Sequence, residues 1–164
     1  MNQKKSKPAY MALLCLAAMT AMSCQMTLPR AAMTDDITLI EKRLELGDNI
    51  NMYDRYGWTP LMWAVYYNQQ NAVKHLLSRG ANPNLPARDD YGSFYRGATP
   101  LMICAMYDYK VLADMLIVSG VNLTARDRRG NSAVDIAEQN NLLEMMNLLT
   151  HAIKQRKEPL APEH

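Results

Sequence analysis

Cysteine and histidine are scarce in this 164-residue sequence, which has three of each. Two of the cysteines, Cys15 and Cys24, lie close to the start of the chain, so no disulfide framework is available to hold a small fold together. The 18 basic and 16 acidic residues nearly balance, which argues against a nucleic-acid-binding protein. A hydrophobic content of 49% excludes extended disorder. The length allows one domain with its own core.

The segment that ends at Cys24 has the pattern of a secretory signal. Lys4, Lys5 and Lys7 form a basic start, and residues 10–23 carry no charge and are rich in Ala, Leu and Met. This apolar run is shorter than the roughly 20 residues that a membrane-spanning helix needs. Removal of residues 1–23 leaves 15 basic and 16 acidic residues, so the net positive charge of the chain belongs to this segment.

The segment Ala21-Met22-Ser23-Cys24 resembles the lipobox of bacterial lipoproteins, with a small residue directly before the cysteine. The resemblance implies a lipoprotein signal peptide at 1–23, cleavage before Cys24 and acylation of that cysteine. Two or three acyl chains would give a stable membrane anchor. Gln25 stands where Asp is the usual mark of inner-membrane retention, which favours the outer membrane. Ordinary signal cleavage, an uncleaved anchor and a chance pattern are the alternatives.

Two sequence blocks recur along the rest of the chain. They repeat at a constant spacing that is interrupted once, by seven additional residues between Gly80 and Gly97. The first block occupies residues 57–64 (GWTPLMWA), 97–104 (GATPLMIC) and 130–137 (GNSAVDIA). The second block occupies residues 44–47 (LELG), 76–84 (LLSRGANPN) and 116–124 (LIVSGVNLT).

This pattern of G-x-T-P-L-x-x-A followed by L-L-x-x-G-A-x-x-N resembles the ankyrin repeat, whose period of about 33 residues it shares. The resemblance covers roughly residues 34–153 and implies an all-α solenoid of stacked helix-turn-helix units with hairpin-like connecting loops. The local chemistry agrees, since Thr59 and Thr99 can cap a helix whose first position is Pro60 or Pro100. No single unit can bury its apolar faces alone, so the repeats are expected to stack into one elongated core.

The spacing divides the chain into unequal parts. The predicted boundaries are a tether with the acylated cysteine at 24–33, a cap at 34–52, repeats at 53–84, 85–124 and 125–153, and a polar tail at 154–164. Whether residues 25–33 form a degenerate first helix is left open. Met33 directly precedes the predicted array, so a second start there would produce a cytosolic form with an intact domain.

Residues suited to catalysis are few and scattered. His75 and His151 have no neighbouring Cys or Ser in a nucleophile–base pattern. Cys104 stands where the repeat has Ala, which predicts a small buried residue. Asp89-Asp90 in the insertion is predicted to be solvated rather than metal-binding. The sequence therefore predicts neither an enzyme nor a cofactor or metal site.

Aromatic residues are concentrated where a binding surface is expected. All 12 except Tyr10 fall between positions 53 and 109. In the ankyrin pattern the partner-facing positions are the hairpin tips, the residue between Gly and Thr, and the end of the first helix. Tyr, Trp and Arg are also the residues that dominate interface hot spots. The predicted partner-binding residues on this concave side are Tyr53, Arg55, Tyr56, Trp58, Tyr66, Tyr67, Phe94, Tyr95, Arg96, Tyr107, Arg126, Arg128 and Arg129.

The resemblances together imply a function in binding another protein. The favoured hypothesis is a lipid-anchored periplasmic ankyrin protein that acts by stoichiometric binding, as an immunity protein neutralising a lipase toxin of type VI secretion. The alternative is a periplasmic ankyrin protein that supports a partner enzyme such as catalase. Neither hypothesis involves nucleic acid, and membrane contact is expected through the lipid anchor alone. The sequence does not identify the partner.

Overall fold

The computed structural model describes residues 27–157, which form eight α-helices in four consecutive pairs. The predicted signal peptide and Cys24 lie outside the described residues, as does the end of the predicted tail. The helices are α1 (Leu28–Met33), α2 (Ile37–Glu45), α3 (Pro60–Tyr66), α4 (Gln70–Ser78), α5 (Pro100–Tyr107), α6 (Lys110–Val118), α7 (Ala133–Gln139) and α8 (Leu143–Lys157). The first helices of successive pairs pack against one another, and so do the second helices.

The turn inside each helix pair has the same backbone geometry. Asp35, Asn68, Asp108 and Asn141 have φ values of 57°, 55°, 57° and 57° and link the two helices of their pair. Asp and Asn tolerate this left-handed region better than other non-glycine residues, because their short polar side chains can bond locally. The four positions repeat at the sequence period, so all four pairs, including the first, are built on one plan.

In the second and fourth pairs the first helix begins at a hydroxyl cap. The Thr59 hydroxyl oxygen accepts a bond from the Met62 backbone N–H at 3.3 Å, and Pro60 follows at the first helical position. The fourth repeat lacks Thr-Pro but has a reciprocal cap, in which the Ser132 backbone N–H donates to Asp135 at 2.8 Å. This bond lowers the pKa of the Asp135 carboxyl. The sequence change in repeat four therefore preserves the helix start.

The hydrophobic core runs through all four pairs. Leu61 and Leu101 occupy equivalent positions on α3 and α5, and each is 1% exposed. Leu76 and Leu116 are fully buried at equivalent positions on the second helices. The stacking expected from the repeat is thus observed, since each pair covers the apolar face of the next.

Replacement of Leu101 by alanine should lower the free energy of unfolding by about 2–5 kcal/mol, because the buried leucine would leave a cavity. Leu61→Ala should have an effect of the same size. Urea unfolding monitored by the strong helical circular dichroism checks both variants. Near-normal midpoints for both would show that the repeat register is wrong.

The folded array begins earlier than the sequence predicts. Helix α1 covers residues for which the sequence leaves a tether and a degenerate first helix open, and Leu28, Ala31 and Ala32 on it are fully buried. The Gln69 side-chain amide also donates to the Met33 carbonyl at 2.8 Å. The first repeat is therefore a complete helix pair that starts at Leu28, rather than a cap that starts at residue 34. A chain starting at Met33 would lack α1, so we expect it to lack part of the folded array.

The array also ends later than predicted. Helix α8 continues to Lys157, whereas a polar tail was expected from residue 154. The Arg156 guanidinium donates to the Ile117 carbonyl at 2.7 Å, which ties the last turn to α6. Within residues 27–157, no helix has the length and hydrophobicity needed to cross a membrane.

Candidate functional site

The seven-residue insertion forms a hairpin that lies against the first-helix side of the array. The Ala87 backbone N–H donates to the Ala98 carbonyl at 2.7 Å, and Tyr91 and Phe94 exchange two backbone bonds of 2.9 Å. The hairpin base touches the preceding hairpin at Gly57, where a Cβ would lie 2.9 Å from the Asp89 nitrogen. Gly57 has a φ of +70°, so both space and backbone conformation require glycine there. We call residues 88–97 the insertion loop.

Aromatic side chains from repeats two and three and from the insertion loop form one connected cluster. Trp58 is at its centre, with its ring 4.8 Å from that of Trp63 and 5.6 Å from that of Tyr66. The insertion loop adds Tyr91 and Phe94, whose rings lie 5.1 Å and 5.6 Å from that of Trp58. Most of these pairs are edge-to-face, a favourable arrangement for aromatic rings. We call this cluster the aromatic face; its members are Tyr56, Trp58, Trp63, Tyr66, Tyr67, Tyr91, Phe94, Tyr107 and Tyr109.

Two of the predicted partner-binding residues are buried. Trp58 is 0% exposed and Phe94 is 3% exposed, so neither can contact a partner without rearrangement of the loop. The insertion loop is the physical reason, because it folds back over Trp58 and places Phe94 between Trp58 and Tyr107. Their assignment as exposed contact residues is therefore wrong, and both are buried members of the aromatic face.

Three tyrosines of the aromatic face are exposed to solvent. Tyr56, Tyr67 and Tyr107 are 37%, 50% and 40% exposed. Tyr67 stacks on Trp63 at 6.2 Å, and Tyr107 stacks on Tyr109 at 5.6 Å. These contacts fix the ring orientations, so a partner would meet a surface that is already ordered. Tyr66 and the hairpin residues Tyr53 and Tyr95 are half-buried.

Arginine side chains stack on tyrosine rings at three places along the hairpins. The Arg55 guanidinium carbon lies 4.7 Å from the centre of the Tyr56 ring, and one of its nitrogens donates to the Tyr56 hydroxyl at 2.6 Å. Arg88 lies 3.8 Å over the ring of Tyr53. Arg129 lies 4.9 Å over the ring of Tyr95 and donates to its hydroxyl at 2.9 Å. Such stacking holds the cations in place without neutralising them.

The predicted basic end of the concave side is partly neutralised. Arg126 forms an ion pair with Asp135 at 2.9 Å, and Arg128 has Asp90 at 3.9 Å. In contrast, Arg129 has no carboxylate within ion-pair distance among the described residues. The exposed Arg96 also has no carboxylate within that distance among the described residues. Its backbone carbonyl accepts a hydrogen bond from the Arg128 N–H at 2.8 Å.

Burial affects the acidity of two tyrosines in the cluster. Burial and a hydrogen bond with Tyr66 raise the pKa of Tyr107 to about 12. Burial is the main cause that raises the pKa of Tyr91, and the nearby Tyr66 and Tyr67 raise it further. Both phenols therefore stay neutral at physiological pH and can donate or accept a hydrogen bond.

Tyr91 and Arg88 were not among the predicted site residues. Tyr91 contacts Tyr56, Trp58 and Trp63, and Arg88 covers Tyr53. Tyr91 lies in the insertion, which has no counterpart in the other repeats and therefore no register from which to place it. Arg88 lies one period of 33 residues after Arg55, so the repeat could have identified it. Residue type was the signal available for Tyr91, since a tyrosine in an inserted loop is typical of binding surfaces.

The residues with catalytic potential lie apart from one another. Cys104 is fully buried, and burial raises the pKa of its thiol. His75 pairs with Glu41 across the second helices, on the other side of the helix pairs from the aromatic face. Asp90 accepts a bond from the Arg96 backbone N–H at 2.6 Å, so it stabilises the insertion loop. The described residues include no group of three His, Cys, Asp or Glu that could hold a metal ion.

Comparison with known proteins agrees with the repeat architecture. A protein-family model of three ankyrin repeats matches residues 12–87, and a family model of a single ankyrin repeat matches residues 96–128. The chain is 45% identical over 56 residues to the Ankyrin repeat, SAM and basic leucine zipper domain-containing protein 1 of Mus musculus. This match covers 34% of the present chain and 12% of the mouse protein. The chain is also 27% identical over 163 residues to the Mitochondrial disaggregase of Bos taurus. That match covers 79% of the present chain and 24% of the bovine protein.

The chain thus spans about a quarter or less of the length of these relatives, and the similarity concerns the repeats. The two family models together cover well over half of the chain. Ankyrin repeats generally serve as scaffolds that bind other proteins. With four helix pairs on one repeating plan and the matching motifs at residues 57–64 and 97–104, the chain belongs to the ankyrin-repeat family.

Proposed function

We propose that this chain is a lipid-anchored ankyrin-repeat protein of the bacterial envelope that acts by stoichiometric protein binding through its aromatic face, and that it is not an enzyme. The observation that carries the proposal is the group of three exposed tyrosines, Tyr56, Tyr67 and Tyr107, held by ring contacts and bordered by stacked arginines. Ordered aromatic side chains beside Arg have the composition of an interface hot spot.

The proposed partner is a secreted lipase toxin, which the protein would neutralise as its immunity protein. An outer-membrane anchor through Cys24 would place the binding surface in the periplasm, where such a toxin acts. Two features support this proposal: the lipobox-like segment at residues 21–24 and the exposed tyrosines held by ring contacts. A catalase-type partner enzyme is the other outcome of the test below.

Tyr67→Ala and Tyr107→Ala should each weaken partner binding by about 1–4 kcal/mol, because each removes an exposed hot-spot ring. Each variant should change the melting temperature little, since about half of the ring is already in water. The measurement is surface plasmon resonance with the partner captured from an envelope extract and identified by mass spectrometry. Identification as a lipase or as a catalase decides between the two hypotheses.

Lys74→Ala is the matched control, because Lys74 is exposed on α4, away from the aromatic face. It should leave affinity unchanged. Loss of binding in Lys74→Ala with normal binding in both tyrosine variants would place the interface on the second helices and overturn the assignment. Arg129→Ala should slow association and reduce its salt dependence, as expected for a cation at the edge of an interface.

Cys24→Ala should abolish lipid attachment. The expected result is loss of labelling by radioactive palmitate and accumulation of a slower-migrating precursor, because signal cleavage follows acylation at a lipobox. Globomycin treatment of cells with the unchanged chain should produce the same precursor. Unchanged processing in both experiments would contradict the proposed anchor.

A further inference from the structure

The insertion loop creates a cleft that a regular ankyrin repeat would not have. The cleft has a volume of about 340 Å³ and lies between the insertion loop and the hairpin of repeat four. Ser93, Phe94 and Tyr95 of the loop form one wall, and Arg129 and Asn131 belong to the facing hairpin. Its size is at the lower end of the roughly 300–1,000 Å³ typical of ligand pockets, which suits one or two side chains.

The floor and the rim of this cleft have different chemistry. The floor includes Phe94 and Ile136, which are 3% and 5% exposed, together with the half-buried Met106. At the rim, Arg129 uses one nitrogen to donate to the Tyr95 hydroxyl at 2.9 Å. Its remaining N–H groups have no carboxylate partner among the described residues, so they are available to an occupant.

The carboxylate of Asp127 also borders the cleft, and its contacts are within its own hairpin. Oδ1 accepts bonds of 2.9 Å from the backbone N–H groups of Arg129 and Asn131. Oδ2 lies 3.5 Å from the Asn131 amide nitrogen. These bonds hold the carboxylate on its own hairpin without cancelling its charge, and Arg129 is the one cationic residue among those that line the described cleft.

We propose that this cleft binds an acidic side chain of the partner protein, with the adjacent apolar residue of the same partner loop on the floor. The inference rests on the proposed function, because the occupant belongs to the bound partner. A carboxylate would form charge-assisted hydrogen bonds with Arg129, and the apolar group would cover Phe94 and Ile136.

The test uses 3-phenylpropionate as a probe, with 3-phenylpropionamide as its neutral counterpart. Both are titrated into the ¹⁵N-labelled full chain and followed by amide chemical shifts. Phenylpropionate should perturb the amides of Phe94, Tyr95 and Arg129 and should bind at least about fivefold more tightly than the amide, because a charge-assisted hydrogen bond is about twice as strong as a neutral one. Equal affinity of the two probes, or shifts confined to other parts of the chain, would overturn the proposal.

Two variants separate charge from shape. Arg129→Met keeps an apolar side chain over Tyr95 and should remove the preference for the carboxylate. Ser93→Tyr fills the cleft and should abolish binding of both probes. Lys74→Met is the control, since it removes an exposed cation that does not line the cleft, and it should bind both probes like the unchanged chain. An equal loss in Lys74→Met would show that the charge effect is not local.

Affinity for the captured partner then tests whether the cleft takes part in partner binding. Ser93→Tyr should lower partner affinity by at least about tenfold, the effect of a hot-spot contact. Normal partner affinity in Ser93→Tyr would overturn the proposed occupant, even if Tyr67→Ala and Tyr107→Ala weaken binding as expected. If the tyrosine variants bind normally while the probe still enters the cleft, the proposed function fails and the carboxylate-binding property of the cleft stands.

Discussion

Trp58→Ala should lower the free energy of unfolding by about 3–5 kcal/mol, the cost of deleting a large buried aromatic side chain. Trp58 is fully buried, and its ring contacts those of Trp63, Tyr66, Tyr91 and Phe94. Removal of the ring takes away the surface on which the insertion loop rests. Because domains of this size are stable by roughly 5–15 kcal/mol in total, the loss would be severe.

The loss of stability expected for Trp58→Ala can be compared with the effect of replacing an exposed tyrosine. Urea unfolding should show a much lower midpoint for Trp58→Ala and a small change for Tyr67→Ala. Trp58→Phe is the conservative control and should recover part of the stability, because it keeps an aromatic ring in the site. A Trp58→Ala variant that unfolds like the unchanged chain but fails to bind the partner would show that Trp58 is a contact residue, as the sequence alone suggests.

The helical architecture was predictable because the repeat has a strong local chemistry. The Thr59-Pro60 start, the regular repeat period and the buried leucines at positions 61 and 101 each predict the same helix pairs. Agreement among capping, periodicity and burial makes such a prediction reliable. The single insertion did not disturb it, since an inserted loop lies outside the packed helices.

The candidate site was harder to predict, because its shape depends on contacts between segments that lack a common register. Repeat alignment places Trp58 at a partner-facing position, and only the fold of the insertion loop shows that Tyr91 and Phe94 cover it. Likewise, residue type identifies Arg126 as basic, but its ion pair with Asp135 depends on a cap specific to repeat four. Exposure and charge pairing are tertiary properties, so they could not be derived from the period.

A chain that starts at Met33 should be less stable than the longer chain by at least about 2–5 kcal/mol, because it loses the buried Leu28 along with the rest of α1. Helix α1 packs against α3, so its removal would expose the apolar side of that helix to water. The contact between Gln69 and the Met33 carbonyl would remain, together with the bond from the Ala72 N–H to Asp35 at 2.6 Å. These polar contacts cannot replace the lost apolar burial.

The sequence itself offers the matched control, since Met26 lies just before the Thr27 that begins the helix. Chains 26–164 and 33–164 differ only in the segment that contains α1, and we expect only the first to unfold like the longer protein. Differential scanning calorimetry compares their melting temperatures, and limited proteolysis compares protection of α3. Equal melting temperatures would show that α1 contributes nothing to stability and would restore residue 34 as the start of the folded array. A lower value for chain 33–164 instead makes a functional cytosolic form from Met33 untenable, because the aromatic face depends on α3 for Trp63 and Tyr66.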